Sequence, residues 1–270
     1  MTNDQMTRDR VKMNILEKFM CERLAAVEVA KSAVSLEQLR EAASGRVHHS
    51  LKSGLLNSGK THIISEMKKA SPSAGLLQPD YDPEAIAKSY LKNGAVGISV
   101  LTEPLHFLGC EDDLRKVRTA VDLPILRKDF MCDPYQIVEA AAWGGDVILL
   151  IAAMLSDEQM RLLYETALEH GLEVLAEVHT KEELERVLPL SEAFVGVNSR
   201  NLKTLKTDLS TAHDLAQFIP DDRISVAESG ISQRSEIDAL KLSGYNAFLI
   251  GEALVSGDDP GGRLHDLVLG

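Results

Sequence analysis

The sequence predicts a (β/α)8 barrel with an N-terminal helical extension, on three observations. From about residue 62 onward, short β-branched or aliphatic runs alternate with longer stretches of helical period, the pattern of βα units around a parallel sheet. Eight such runs recur, and α/β barrels commonly use about 250 residues as one domain, close to the 270 present here. The segment after the first run reads KKASPSAG, where an open doubly wound sheet would place a glycine-rich fingerprint.

Residues 1–60 fall outside the eightfold pattern. Residues 14–31 have the period of an amphipathic helix, 36–43 form a shorter helical patch, and a weakly patterned polar stretch runs to residue 60. This segment is expected to pack on a TIM barrel of residues 61–270 within one domain, since no linker divides the chain. Strands are expected at 62–69, 95–102, 124–130, 146–154, 173–178, 193–200, 224–230 and 247–253. Helices are expected between them at 111–121, 135–143, 157–170, 181–190, 210–218 and 235–242. Ser156-Asp157-Glu158 opens one helix with a capping hydroxyl and two acids suited to the positive end of the helix dipole. Gly94, Gly144, Gly171 and Gly244 precede strands, where a left-handed residue ends the preceding helix.

Lys and Arg number 29 against 41 Asp and Glu, a net charge of −12, which argues against binding to nucleic acid or to anionic membranes. The longest aliphatic run, 147–155, is too short to span a bilayer, and the N-terminus (MTNDQMTRDR) lacks an apolar signal core. Three scattered cysteines with no C-x-x-C fit a reducing cytoplasm and suggest neither disulfides nor zinc. No H-x-x-x-H or acidic cluster suggests a metal, and no cofactor is called for. Cys110 and Cys132 read as bystanders in rim loops, and His48, His49 and His179 as loop histidines.

In such barrels chemistry sits at the C-terminal ends of the strands and in the loops that follow. An unpaired charge is costly to bury, so charges at those ends ask for a purpose. Strand one ends with Glu66 and Lys68, two apart and hence on one face. Lys128 ends strand three between apolar Leu126 and Phe130 on its own face. Glu177 ends strand five, Asn198 and Arg200 strand six, and Glu228-Ser229-Gly230 strand seven. Any one of these could be an ordinary rim salt bridge; converging on one rim, they read as a site. Ser229-Gly230 and Ile250-Gly251, each followed by a turn, suggest a phosphate cradle built from backbone N–H groups after strands seven and eight.

Ile63–Leu77 reads IISEMKKASPSAGLL, with Glu-x-Lys followed by Ser-Pro-Ser, and in this it resembles the indole-3-glycerol-phosphate synthase family. LTEPLHFLG (101–109), LRKDF (126–130), VLAEVH (174–179), GVNSRNL (196–202) and VAESGI (226–231) continue the resemblance in order, strand by strand. NILEKFMCER near the N-terminus is similar to the family's additional helix. The resemblance implies a cytoplasmic lyase of tryptophan biosynthesis, a monomer or weak homo-oligomer. It would close 1-(2-carboxyphenylamino)-1-deoxyribulose 5-phosphate to an indole with loss of carbon dioxide and water.

Residue by residue, the resemblance makes Lys128 the general acid, gives Lys68 the substrate anions and a part in dehydration, and makes Glu177 a second proton-transfer group. Glu66, Asn198 and Glu228 hold the lysines and substrate hydroxyls, and Ser229 belongs to the same catalytic set. Ser71, Gly230 and Gly251 would bind phosphate, Arg200 would brace the site, and Phe107, Phe130 and Leu202 would form a slot for the anthranilate ring. The chain departs from the family at Ala74, where a basic residue is frequent, and at Glu252, where a small hydroxyl residue sometimes joins the phosphate site. The length leaves no room for a fused phosphoribosylanthranilate isomerase. Another phosphate-binding barrel, such as that isomerase, would rely on a Cys/Asp pair in place of lysines and glutamates. A catalytically silent barrel would not need both lysines and Glu177.

Overall fold

The computed structural model describes residues 14–56, 61–72, 74–201, 204, 206–257 and 259–270. Eight parallel strands close into a barrel: β1 (Ile63–Met67), β2 (Gly97–Leu101), β3 (Ile125–Lys128), β4 (Val147–Ile151), β5 (Glu173–Val178), β6 (Phe194–Asn198), β7 (Ser225–Glu228) and β8 (Ala247–Ile250). β8 returns to β1 with Phe248 opposite Ile63. Before the barrel come α1 (Ile15–Ala33), α2 (Leu36–Ala43) and α3 (Leu51–Leu55). Around it run α4 (Pro83–Lys92), α5 (Glu111–Ala120), α6 (Pro134–Trp143), α7 (Asp157–Glu169), α8 (Lys181–Val187), α9 (Ser210–Ala216) and α10 (Arg234–Leu242). The short α11 (Glu252–Val255) and α12 (Pro260–Leu269) follow β8.

The strands alternate between two cores. Outward residues such as Ile98, Val100, Ile148, Leu150, Val195 and Val197 pack against the helices through Leu114, Ile137, Leu163, Leu184 and Leu240. Inward residues Ile64, Leu126, Leu149, Leu175, Phe194, Val226 and Leu249 fill the lower barrel. One step further along the same inward face, β1, β3, β5 and β7 change from apolar to charged, at Glu66, Lys128, Glu177 and Glu228. With a rise of about 3.3 Å per residue, that step lifts the charged layer roughly 6–7 Å above the apolar one.

Most strands stop one to three residues short of their expected C-terminal ends, where the chain leaves the sheet for the rim loops. Ala152–Met154 is a 3₁₀ turn, not the end of β4, and Gly251 precedes α11 instead of extending β8. The helix α4, capped by Asp82 with Pro83 in its first turn, was not among the expected helices, nor was α12. The capping box at Ser156 and the left-handed Gly94, Gly144, Gly171 and Gly244 are as expected. No helix among the described residues is long and apolar enough to cross a membrane.

The weak polar stretch before the barrel contains α3, which the periodicity did not show. Leu51 and Leu55 insert into the bottom of the apolar barrel core. Glu173 at the base of β5 accepts the Leu51 N–H at 2.8 Å and the Ser50 hydroxyl at 2.6 Å, placing a carboxylate at the positive end of this helix. His48 and His49 lie in the irregular stretch before α3, His48 exposed and His49 half-buried at this floor. The fully buried Asp146 accepts the His49 N–H at 2.9 Å, and it also receives Arg46, Arg118 and the Ile125 N–H. Leu51→Ala removes the plug and is expected to cost about 2–5 kcal/mol, the range for emptying a buried leucine site. Urea denaturation followed by circular dichroism measures it.

Candidate active site

The charged layer is organised around one ammonium. Lys128 Nζ lies 2.9 Å from Glu228 Oε2, 3.6 Å from Glu66 Oε2 and 4.0 Å from Glu177 Oε2. Lys68 Nζ sits 2.6 Å from the other oxygen of Glu66. Burial alone would pull the Lys128 ammonium down, but Glu228, Glu66 and Glu177 outweigh it and hold the group protonated well above the usual lysine range. Burial pushes Glu66 up, and Lys68 and Lys128 more than offset that, leaving it below the ordinary carboxylate value. Glu228 is pushed up to about 7 by its burial and by the neighbouring Glu177 and Glu66, against the pull of Lys128. Three carboxylates thus share two ammonium groups.

Two glycines make space for this layer. A Cβ on Gly251 would overlap Glu66 Oε1, and a Cβ on Gly196 would overlap Glu228 Oε1. A glycine on or just beyond the adjacent strand, Gly196 in β6 and Gly251 after β8, is therefore the sequence counterpart of each buried carboxylate. At the end of β7 the chain turns through two consecutive left-handed residues, Ser229 (φ 64°) and Gly230 (φ 83°). A non-glycine residue in that region costs about 1–2 kcal/mol, strain of the kind that collects at functional sites.

Most of the expected site residues line one cavity at the barrel mouth: Glu66, Lys68, Ser71, Phe107, Lys128, Phe130, Glu177, Asn198, Arg200, Ser229, Gly230 and Gly251. Glu228 does not line it. That residue lies buried behind Lys128, a partner to the lysine and not part of the cavity wall. Leu202 lies outside the described residues. Asn198 Oδ1 accepts the Arg200 N–H at 2.9 Å, and Ser71 Oγ accepts the N–H of Ala74 at 3.1 Å. Arg200 Nη2 reaches Glu252 Oε2 at 2.8 Å, and the Glu252 side chain is largely exposed. His179 is not a free loop histidine: its ring stands beside Glu177, with Nε2 3.4 Å from Glu177 Oε1. Burial pushes the Cys132 thiol up to about 12, in keeping with an inert bystander.

The roof of the cavity includes residues that carried no site signal in the sequence. Ile15, Leu16 and Phe19 of α1 reach over the mouth. Phe19 stacks on Phe130 with ring centroids 4.8 Å apart, and Phe107 tilts against Phe130 at 6.2 Å. The Phe107 loop is held by Glu103, whose carboxylate accepts the N–H groups of Leu105, His106 and Phe107. Beneath, Arg23 of α1 bonds Asp129 Oδ2 at 2.9 Å, and the fully buried Arg127 bonds the same oxygen at 3.1 Å and Glu139 at 3.3 Å. This network fixes the backbone on both sides of Lys128 and fastens α1 to the barrel. Glu103 and the Arg23–Asp129 pair were legible only as charges, since their partners lie on other loops or far away in sequence.

The family model described as "Indole-3-glycerol phosphate synthase" matches residues 16–267. Indole-3-glycerol phosphate synthase of Azospirillum brasilense is 43% identical over 251 residues, spanning 91% of this chain and 95% of that protein. Indole-3-glycerol phosphate synthase of Carboxydothermus hydrogenoformans is 41% identical over 261 residues, spanning 94% and 99%. Among solved structures, 3-hexulose-6-phosphate synthase from Salmonella typhimurium superposes with a TM-score of 0.62 at 10% identity, covering 77% of this chain and 96% of that one. Thiamine phosphate pyrophosphorylase from Pyrococcus furiosus does so with a TM-score of 0.58 at 15% identity, covering 81% and 96%. At such identities these two show the shared barrel fold alone.

The close fit of Gly196 to Glu228 makes Gly196→Ala a direct probe of the site. Overpacking of this kind costs about 1–3 kcal/mol, so the barrel is expected to stay folded while the Glu228 carboxylate is displaced from Lys128. A crystal structure of the variant checks it, with denaturant unfolding giving the cost.

Proposed function

The chain belongs to the indole-3-glycerol phosphate synthase family, and from that membership we propose which residues carry the reaction and how. The enzyme is a lyase of tryptophan biosynthesis; the finer assignment proposed is a carboxy-lyase that acts without a cofactor in the cytoplasm. The observation that supports the reading most directly is the Lys128 ammonium, 2.9 Å from Glu228 and lining the same cavity as Phe107 and Phe130.

Phe107 and Phe130 receive the anthranilate ring, and Phe19 covers it from above. The backbone N–H groups at Gly230 and Gly251, with the Ser71 hydroxyl, take the phosphate at the other end. Between them the ketone faces Lys128. When the ring carbon attacks that ketone, negative charge develops on its oxygen, and the Lys128 ammonium donates its proton there. An alkoxide is far more basic than an amine, so the transfer is downhill even from an ammonium stabilised by three carboxylates. Decarboxylation then needs no added electron sink, because the cyclised iminium accepts the electron pair as carbon dioxide leaves. Lys68 neutralises substrate charge and assists departure of the hydroxyl as water. Glu177 moves the second proton, Glu66 and Glu228 hold the two lysines in place, and Asn198 and Ser229 position the substrate hydroxyls.

Glu252 stands beside the proposed phosphate cradle, where a carboxylate about 4 Å from one phosphate charge would be opposed by roughly 4 kcal/mol at an effective dielectric of 20. The ion pair to Arg200 supports a geometry in which that carboxylate turns outward. Arg200 then braces the rim between the ends of β6 and β8.

Conversion of the substrate is followed by the fluorescence of the new indole ring. Lys128→Ala is expected to lose about 10²–10⁴-fold in kcat while remaining folded, the range for general acid–base groups; near-native turnover would remove Lys128 from this role. Inorganic phosphate at constant ionic strength is expected to raise KM competitively, and an unchanged KM would count against the cradle. Glu252→Ser is expected to leave KM nearly unchanged, whereas a large fall in KM would mean that the carboxylate faces the ligand.

A further inference from the structure

Three phenyl rings frame the apolar slot, and a fourth ring outside the cavity joins them into a closed circuit. Phe107 tilts against Phe130, Phe130 stacks on Phe19, and Phe19 meets the imidazole of His106 with ring centroids 4.3 Å apart. His106 is the chain neighbour of Phe107, so the circuit returns to its start through one peptide link. Two of its members stand on the rim loop after β2, one follows β3 and one belongs to α1. Neither His106 nor its partner Glu22 lines the cavity, and neither takes part in the proposed chemistry.

The rim loop has a shape of its own. Besides the three N–H groups that the Glu103 carboxylate accepts, the Glu103 carbonyl accepts the Gly109 N–H at 3.0 Å. Leu108 is left-handed, with φ 56°, and a Cβ on Gly109 would overlap the Leu101 carbonyl at the end of β2. His106 and Phe107 therefore keep a fixed relation to each other and to β2. The start of α1 is held differently. Among the described residues, its polar links to the barrel are at Glu22, Arg23, Ala30, Lys31 and the C-cap Val34, all beyond Phe19. Of these, Glu22 is the one that reaches the rim loop.

Glu22 lies three residues after Phe19, and helical residues three apart share a face. His106 meets both: its ring packs on Phe19, and its Nε2 stands 2.7 Å from Glu22 Oε2. A carboxylate only accepts, so Nε2–H donates, at the length of a charge-assisted bond. That hydrogen bond outweighs desolvation and holds the Glu22 carboxyl below the ordinary carboxylate range, with Lys18 at 3.7 Å adding to it. We propose that His106 and Glu22 are positioning residues for the aromatic end of the substrate, their hydrogen bond setting the spacing of Phe19 and Phe107 around Phe130. It rests on the proposed seating of the anthranilate ring in that slot. The pair fixes the slot before the ring enters, so binding does not bear the cost of ordering it. Standing away from the reacting ketone, the two residues act on ground state and transition state alike, and their effect falls on KM.

Steady-state kinetics on the full-length enzyme test this with Glu22→Ala, with His106→Phe, which keeps a ring against Phe19, and with the two combined. The side chains are 21% and 29% exposed, so the link has the strength of a partly exposed ion pair. Each single substitution is expected to raise KM by about fivefold, the upper end for such a pair, with kcat nearly unchanged. The double variant should be no worse than either single one, because one hydrogen bond can be lost only once. Glu22→Gln keeps an acceptor for Nε2–H and should fall between the native enzyme and Glu22→Ala. Anthranilate, used as a competitive probe, should bind the variants more weakly by the same factor, while inorganic phosphate should bind them as it binds the native enzyme. An unchanged KM in both single variants overturns the proposal. So do additive effects in the double variant, or phosphate weakened as much as anthranilate, which would mean a general loosening of the rim. Phe130→Ala separates the two readings. If it raises KM and weakens anthranilate while the Glu22 and His106 variants stay native, the slot stands and the pair alone fails. If it changes neither, the slot does not take the ring, and the role of the pair falls with it.

Discussion

The buried ammonium of Lys128 is the constraint around which the rest of this barrel is arranged. A lone charge in an apolar interior would lose its proton or unfold the site, and three carboxylates prevent both. Those carboxylates need room, which Gly196 and Gly251 give, and burial together with repulsion from its neighbours raises Glu228 toward neutrality. The apolar layer below, from Ile64 to Leu249, keeps water from screening the cluster, so each charge acts more strongly than it would at a surface. Removing Glu66 would therefore alter the protonation of Glu228 and Lys128, and these groups are best understood together.

Much of this was legible in the sequence because strands have a period of two. Lys128 flanked by Leu126 and Phe130, and Glu66 two residues before Lys68, share a face at their strand ends, and the structure brings them together. Strand ends were harder to place. Ala152–Met154 continue the apolar run of β4, and composition does not reveal where pairing stops. α3 was invisible because five residues are too few to establish a helical period, and its two leucines matter only through the barrel they enter. The sequence pattern assigned no role to Arg127 and Asp129, on either side of Lys128. Their burial depends on Arg23, 106 residues before Asp129, and no local pattern encodes that distance.

That same pair changes the standing of the N-terminal segment. Arg23 shares the Asp129 oxygen that Arg127 and the Thr102 hydroxyl also bond, so α1 is tied to the strand that carries the central lysine. Tyr135 adds a second fastening through its hydroxyl to the carbonyls of Ala30 and Val34, and Lys31 a third at Asp133. With Phe19 in the roof, α1 is both held by the barrel and part of its cavity.

The α3 plug has a bearing on traffic. Leu51 and Leu55 stop the lower end of the barrel, so among the described residues the cavity above them opens at the rim. The gas set free by decarboxylation, the water from the last step and the bulky phosphorylated product must all depart through the opening by which the substrate came in. Carbon dioxide is small and uncharged and can slip past a phosphate held in the proposed cradle at the rim. The order of departure is thus imposed by shape: the gas first, and the anchored product last.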